Sequence, residues 1–429
     1  LSFPPFYLLV PYFLNKFFSF PISPLSLQLL NIFFHFLTLV LILKISRLIF
    51  HTKSHQVDII GLTACYIYTF SPSPLWFHTN IYIMFSVAIP ILLLSTYLFL
   101  KISKSEAPKS KHYFLLGGAL FLLSYTEWIG YLTAFTYAVL NAILFIKHKD
   151  RKYIVGFFTA GLSASLALAL FIWQGATAVG LKALFNYHFA RYSDYSGTTE
   201  GSHFLLFLSR FALWFIRGYT PAVLTLFGLI LIILIKQPRL TSFKKYNAGL
   251  LLAALIIPSA LHHLLLRDFT VHHEFSTLID GLTLSFTGGI VAHYVLELRL
   301  LKKSRLIGLA VIVLLANSAS FFLQHYPGPK SYNGYPYDVA QKIGTTIHQN
   351  SIKDEPVFLV GYNREYDWQL LWYAKTNVGF CKDFAELSKK MKELGLLKAK
   401  VFILDPLYMN SGKVMSIKEV SLSTPTTKL

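Results

Sequence analysis

Charge is scarce in this chain. Only 14% of its 429 residues are Asp, Glu, Lys or Arg, against 54% hydrophobic, and the mean hydropathy is +0.53. An ordinary soluble domain carries about a quarter charged residues, so the composition excludes that class and points to a polytopic membrane protein. Cysteine is nearly absent. Cys65 lies in an apolar run and Cys381 near the C-terminus, too few for a disulfide framework and at no zinc-site spacing. Acidic residues are few as well: 20 against 39 Lys and Arg, a formal net charge of +19. Such an excess invites a nucleic-acid reading, but most basic residues sit in short loops between apolar runs, so no nucleic-acid partner is expected. No internal repeat is visible, which counts against a transporter built from two related halves. The chain starts at Leu1 with neither Met nor a signal-like leader, and the expectation is that an N-terminal segment precedes it.

What is present is organised around Leu115–Ile146, with Ser124-Tyr125-Thr126-Glu127-Trp128-Ile129-Gly130 at its centre. As one helix, the apolar run 113–146 would be about 50 Å long, well beyond the roughly 30 Å of a bilayer core. Two short helices folded back at 126–130 fit better and put Glu127 at the tip of a hairpin. An ionisable group at that depth is a functional candidate. Its structural alternative is a carboxylate that caps the second helix.

Ten apolar runs are expected to form membrane-spanning helices: 25–43, 57–70, 82–100, 113–126, 131–146, 153–173, 219–235, 247–266, 277–296 and 306–323. With the hairpin, the loops on one side carry 19 Lys and Arg and those on the other carry 6. With 113–146 as a single span the tally becomes 12 against 13. The positive-inside bias selects the hairpin and places Glu127, the N-terminal stretch and the C-terminal region outside the cytoplasm. Residues 1–24, rich in Pro and Phe, read as an outer interfacial loop, because repeated Pro disfavours a regular helix. The expected architecture is an all-α membrane domain over 25–323 and a small α/β extracytoplasmic domain over 324–429. In the latter, helices at 338–350, 367–375 and 382–394 and strands at 356–362 and 400–405 are expected, with 411–429 frayed.

The outer side carries the chemistry. Its carboxylates include Glu127, Asp194, Glu200, Asp268, Glu274 and, at the edge of a span, Asp280. Histidines cluster there too: His78, His188, His203, His262, His263, His272 and His273. Arg191, Arg210, Arg217 and Arg267 suit a phosphate group, because guanidinium matches its oxygens. A carboxylate suits an acceptor hydroxyl as general base. Arg210 and Arg217 share one face of a helix expected over 204–219, lying on the interface with Trp214 and Phe215 dipping in; snorkelling at the interface is their structural alternative. His188 and Arg191, flanked by Tyr187 and Tyr192, are either substrate contacts or an aromatic belt. His262, Asp268, His272 and Glu274 supply metal-ligand atoms, but at no known zinc spacing. No cofactor or metal is therefore assigned, with a divalent ion left open.

Four motifs follow one another: Pro-Pro-Phe-Tyr-Leu-Leu-Val-Pro at 4–11, Phe-Ser-Pro-Ser-Pro-Leu at 70–75, Tyr-Thr-Glu-Trp-Ile-Gly at 125–130, and Leu370-Leu371-Trp372-Tyr373-Ala374-Lys375 in the terminal α/β unit. In this order the chain resembles the GT-C membrane glycosyltransferases, in particular the branch of the protein O-mannosyltransferases and lipid A aminoarabinose transferases (glycosyltransferase family 39 and relatives). The resemblance implies inverting transfer of a sugar from a polyprenyl-phosphate donor, at the bilayer, to a glycan, lipid or protein acceptor on the outer side. It implies an integral protein of the plasma membrane. It also implies an acidic base in a first outer loop that precedes the Pro-Pro-Phe-Tyr stretch, so the base is expected upstream of Leu1. Glu127 then becomes a candidate for positioning, with Trp128, His188, Arg191, Arg210, Arg217, Arg267, His272, His273 and Glu274 as substrate-binding candidates. The alternatives are a transporter or flippase of a lipid-linked molecule, or an inactive subunit that binds lipid-linked sugar.

Overall fold

Apolar runs of this length fold as helices because hydrocarbon offers no partner to a backbone N–H or C=O. The computed structural model describes residues 5–50, 55–80, 83–186, 203–236, 248–297, 302–325, 337–352, 355–362, 368–405 and 414–421. The chain divides into two compact units, Leu1–Phe322 and Leu323–Leu429.

The first unit is helical. Its elements are α1 (Phe6–Phe18), α2 (Pro24–Phe50), α3 (His55–Phe70), α4 (Pro72–Asn80), α5 (Met84–Lys104), α6 (Ser110–Ser124), α7 (Ile129–His148), α8 (Arg151–Val179), α9 (His203–Lys236), α10 (Ala248–Leu265) and α11 (Arg267–His272). A 3-10 turn (Glu274–Thr277), α12 (Leu278–Glu297) and α13 (Lys303–His325) follow. Among the described residues, six helices are long and apolar enough to cross a bilayer, and Ile59–Phe70 and Ile307–Leu323 are shorter apolar helices. This is an integral, multi-pass membrane protein.

The ten predicted runs all fall on helices, and two other expectations are corrected. The N-terminal stretch, read as a loop, contains α1. Pro11 lies inside this helix and is its one buried residue, so tertiary packing outweighs the hydrogen bond that Pro forfeits. At 13 residues, about 20 Å, α1 is too short to span. The interfacial helix and the span expected on either side of residue 219 are one continuous helix, α9. Gly218 does not break it. A Cβ there would lie 2.8 Å from the Ser73 Cβ, so this glycine serves close packing against α4.

Between membrane helices there is little hydrophobic drive, so fit and hydrogen bonds hold the bundle. Helix α12 packs closely on α3 because Gly289 lacks a side chain: a Cβ there would lie 2.4 Å from the Ile60 carbonyl oxygen. Thr96 and Tyr137 share a buried 2.7 Å hydrogen bond between α5 and α7. Lys104 donates to the carbonyls of Leu48 (2.8 Å) and Ile49 (3.2 Å), closing the end of α2 with a positive charge.

The second unit is a small α/β sandwich: α14 (Tyr337–Asn350), β1 (Val357–Val360), α15 (Trp368–Ala374), β2 (Val378–Cys381), α16 (Phe384–Glu393), β3 (Lys398–Leu404) and β4 (Val414–Ser421). The sheet order is β2-β1-β3-β4, with β1 parallel to both neighbours and β4 antiparallel to β3. Along β1, Val357 and Leu359 pack with Ile343 and Leu370 on one face, while Phe358 and Val360 pack with Leu387 and Met391 on the other. Asp383 caps α16 by accepting from the Glu386 N–H at 2.8 Å. Burial pushes the Cys381 thiol up to about 11, so it stays protonated at neutral pH. The strands β2 and β4 were not anticipated. Only four residues make β2, one of them Gly379. β4 falls in the stretch read as frayed. It is a largely exposed edge strand held by its backbone ladder with β3.

Replacing Gly289 with Val should cost about 1–3 kcal/mol through overpacking against α3. Gly118→Ala, where a Cβ meets nothing within 4 Å, should not destabilise. Thermal unfolding of both variants in detergent checks the contrast.

Candidate functional site

The α6–α7 hairpin turns in four residues, and the turn demands Gly130: a Cβ there would lie 2.2 Å from the backbone nitrogen of Ser124. The turn buries Glu127 completely. One carboxylate oxygen, Oε2, accepts from the Ile129 N–H at 2.5 Å and so caps the start of α7. The other, Oε1, faces His262 Nε2 at 3.4 Å. His262 is also fully buried, with its ring edge-on to Phe85 and Phe269. A carboxylate lodged there without partners would cost several kcal/mol. Glu127 is therefore both a helix cap and half of a buried histidine–carboxylate pair. His262 Nδ1 is buried with no hydrogen-bond partner among the described residues.

Neighbouring residues on a helix point about 100° apart, so His263 serves a different partner. Its Nε2 lies 2.8 Å from Asp280 Oδ2 and its Nδ1 lies 3.0 Å from Thr270 Oγ1. Ser259 donates to the second Asp280 oxygen at 2.5 Å. The carboxylate can only accept, so Nε2 carries the proton toward Asp280. This set ties α10, α11 and α12 together. It also provides the polar wall of a cavity of about 500 Å³, otherwise lined mainly by apolar side chains such as Phe207, Phe211, Phe215 and Leu284.

A third buried set joins α2, α3 and α4. Tyr68 and His78 are 2.8 Å apart, and the His35 ring lies 4.8 Å from that of His78. Burial, and then the neighbouring His35, hold His78 well below its ordinary range, so it stays neutral. Phe77, beside it, meets Phe275 of the 3-10 turn edge-on.

The structure brings some of the candidates together. Arg267 starts α11 half-buried, and its Nε is buried with no hydrogen-bond partner among the described residues. The His273 ring packs with Phe269 and Phe275. Arg210 and Arg217 are exposed on α9 and lie 6.0 and 5.5 Å from the Trp214 ring, whose Nε1 donates to the Val271 carbonyl of α11. Trp128 belongs elsewhere: it packs with Tyr131, Tyr125 and Phe171 towards α8. His188 and Arg191 lie outside the described residues, as do the side chains of Asp268, His272 and Glu274. Among the described residues, no three His, Cys, Asp or Glu converge as a metal set. The pairings of Glu127 with His262 and of His263 with Asp280 were not anticipated. The visible signal was the His262-His263 doublet at a helix end, with one carboxylate in the hairpin turn and another on α12.

Glu127→Gln keeps an acceptor for the Ile129 N–H and loses only the charge facing His262. Glu127→Ala loses both and should destabilise the protein by about 2 kcal/mol or more, clearly beyond the Gln variant. Thermal unfolding of the two variants side by side checks the order.

The structure matches ArnT from Cupriavidus metallidurans bound to undecaprenyl phosphate with a TM-score of 0.64 at 12% identity, over 95% of this chain and 84% of ArnT. Against apo ArnT the TM-score is 0.61. It also matches the oligosaccharyltransferase AglB from Archaeoglobus fulgidus, solved with an inhibitory peptide and a dolichol-phosphate. There the TM-score is 0.54 at 10% identity, over 94% of this chain and 61% of AglB. No protein-family model and no curated protein matches the sequence. At these identities the likeness is one of fold. The chain thus has the fold of the GT-C membrane glycosyltransferases, the superfamily to which ArnT and AglB belong.

Proposed function

We propose that this chain is a membrane glycosyltransferase. In this reading it takes a sugar from a polyprenyl-phosphate donor and passes it, with inversion, to a glycan, lipid or protein acceptor on the extracytoplasmic side of the plasma membrane. The observation that carries the reading is the match over 95% of the chain to ArnT holding undecaprenyl phosphate. The cavity of about 500 Å³ beside His263 and Asp280 supports it, being apolar enough for a lipid chain and polar at one wall. The excess of Lys and Arg in the loops on the other side supports the extracytoplasmic placement.

The chemistry needs three things. A base takes the proton of the acceptor hydroxyl as its oxygen attacks the anomeric carbon. The bond from that carbon to the phosphate oxygen breaks, and its electron pair stays on the departing polyprenyl phosphate. Cations hold the charge that develops there. Arg267, whose buried Nε has no hydrogen-bond partner among the described residues, suits the third role. Glu127 is unsuited to be the base, because it is fully buried and both its oxygens are engaged. It acts as a positioning residue, holding the hairpin against His262.

The test is turnover in liposomes that contain a labelled polyprenyl-phosphate sugar. Transfer of label with return of free polyprenyl phosphate is expected; binding of the donor without turnover would count against an enzyme. Arg267→Ala should weaken donor binding about tenfold or more, and Arg267→Lys should not restore it, because a point charge replaces a planar fork.

A further inference from the structure

A second cavity, of about 400 Å³, lies between α3, α9, α12 and α13. Its lining includes four small residues, Ala222, Gly288, Ala292 and Ala310. Its rim is open: Leu62 and Ile307 are 58% and 56% exposed. The volume falls in the range of small-molecule sites, roughly 300–1,000 Å³. Few polar atoms reach it, and one of them, the Tyr66 hydroxyl, is already given to the Ala310 carbonyl. The chemistry of the walls therefore selects hydrocarbon.

The position of the cavity selects which hydrocarbon. Its lining on α12 runs from Gly288 to Leu296, and Leu296 is about 24 Å along that helix from Asp280. It therefore extends away from the buried histidine pairs and towards the opposite face of the membrane. At that end the link from α12 to α13 carries Arg299, Lys302, Lys303 and Arg305, opposed only by Glu297. Lys302 and Arg305 are exposed, a few residues before Ile307 at the rim. Basic residues at the membrane surface attract anionic lipid headgroups, and guanidinium pairs with phosphate oxygens in two-pronged fashion.

We infer that this groove holds an acyl chain of an anionic phospholipid from the leaflet facing the basic loops, its phosphate met by Lys302 and Arg305. The groove continues along α12 beyond the cavity of the donor reading, with Leu226 as a shared wall, and differs from it in the basic residues at its far end.

The full chain, purified in a neutral detergent, is exposed to phosphatidylglycerol and phosphatidylcholine of matched acyl chains, and retained lipid is read by native mass spectrometry. Phosphatidylglycerol should be preferred by about fivefold or more, and the preference should vanish in the double variant Lys302→Glu, Arg305→Glu. Thr63→Phe, on the groove wall, should lower retention of both lipids, while Gly118→Ala, away from the groove, should leave it unchanged. Equal retention of the two lipids by the unaltered protein would overturn the inference. So would a preference that survives the charge reversal. Displacement of phosphatidylglycerol by undecaprenyl phosphate in the unaltered protein, but not in Arg267→Ala, would assign the groove to the donor and overturn it too.

Discussion

A carboxylate with no exposure, set among apolar helices, must find its partners inside the protein or not be there at all. Glu127 meets that demand in two directions. It closes its own turn by capping α7 through the Ile129 N–H, and it faces His262 on α10. The hairpin is thereby joined to the helix whose next residue, His263, is anchored to Asp280 on α12 and Thr270 on α11. Through Glu127 and the two adjacent histidines, the hairpin is thus connected to α10, α11 and α12. The short helix carrying Arg267 hangs from that framework.

The two ends of the bundle are built by different rules. Polar side chains gather near the hairpin tip: the two histidine–carboxylate pairs, and the Tyr68–His78 contact linked to them through Phe77 and Phe275. Deeper in the bundle the helices meet through missing side chains, as at Gly289 against Ile60. The opposite end relies on lysines that close helix carbonyls, as Lys104 does for α2. The two ends thus differ in kind, with fixed polar pairs at one and flexible cations at the other.

Much of this was legible in the sequence. The length of the apolar run 113–146 against the thickness of a bilayer, together with the distribution of Lys and Arg, revealed the hairpin, and a few motifs in order pointed to the fold. Other features were hidden for physical reasons. Pro11 argued against α1 because local propensity cannot register the packing that buries it. The boundary expected at residue 219 is not there: α9 runs through it, and Gly218 serves contact with Ser73 on a distant helix. β4 has no apolar alternation to reveal it, since its stability lies in backbone pairing. The candidate residues were visible as types, and their partners were not. Nothing in a linear sequence says that two adjacent histidines turn to different carboxylates, or that Trp128 beside Glu127 packs towards another helix.

The most direct measurement is a double-mutant cycle between Glu127 and His262, using Gln at both positions, with thermal unfolding of the detergent-purified protein as the readout. If the buried pair joins the hairpin to α10, the two substitutions should couple by about 1 kcal/mol or more. If their effects instead add to within about 0.3–0.5 kcal/mol, Glu127 is only a local cap, and the account of a site organised around it is wrong.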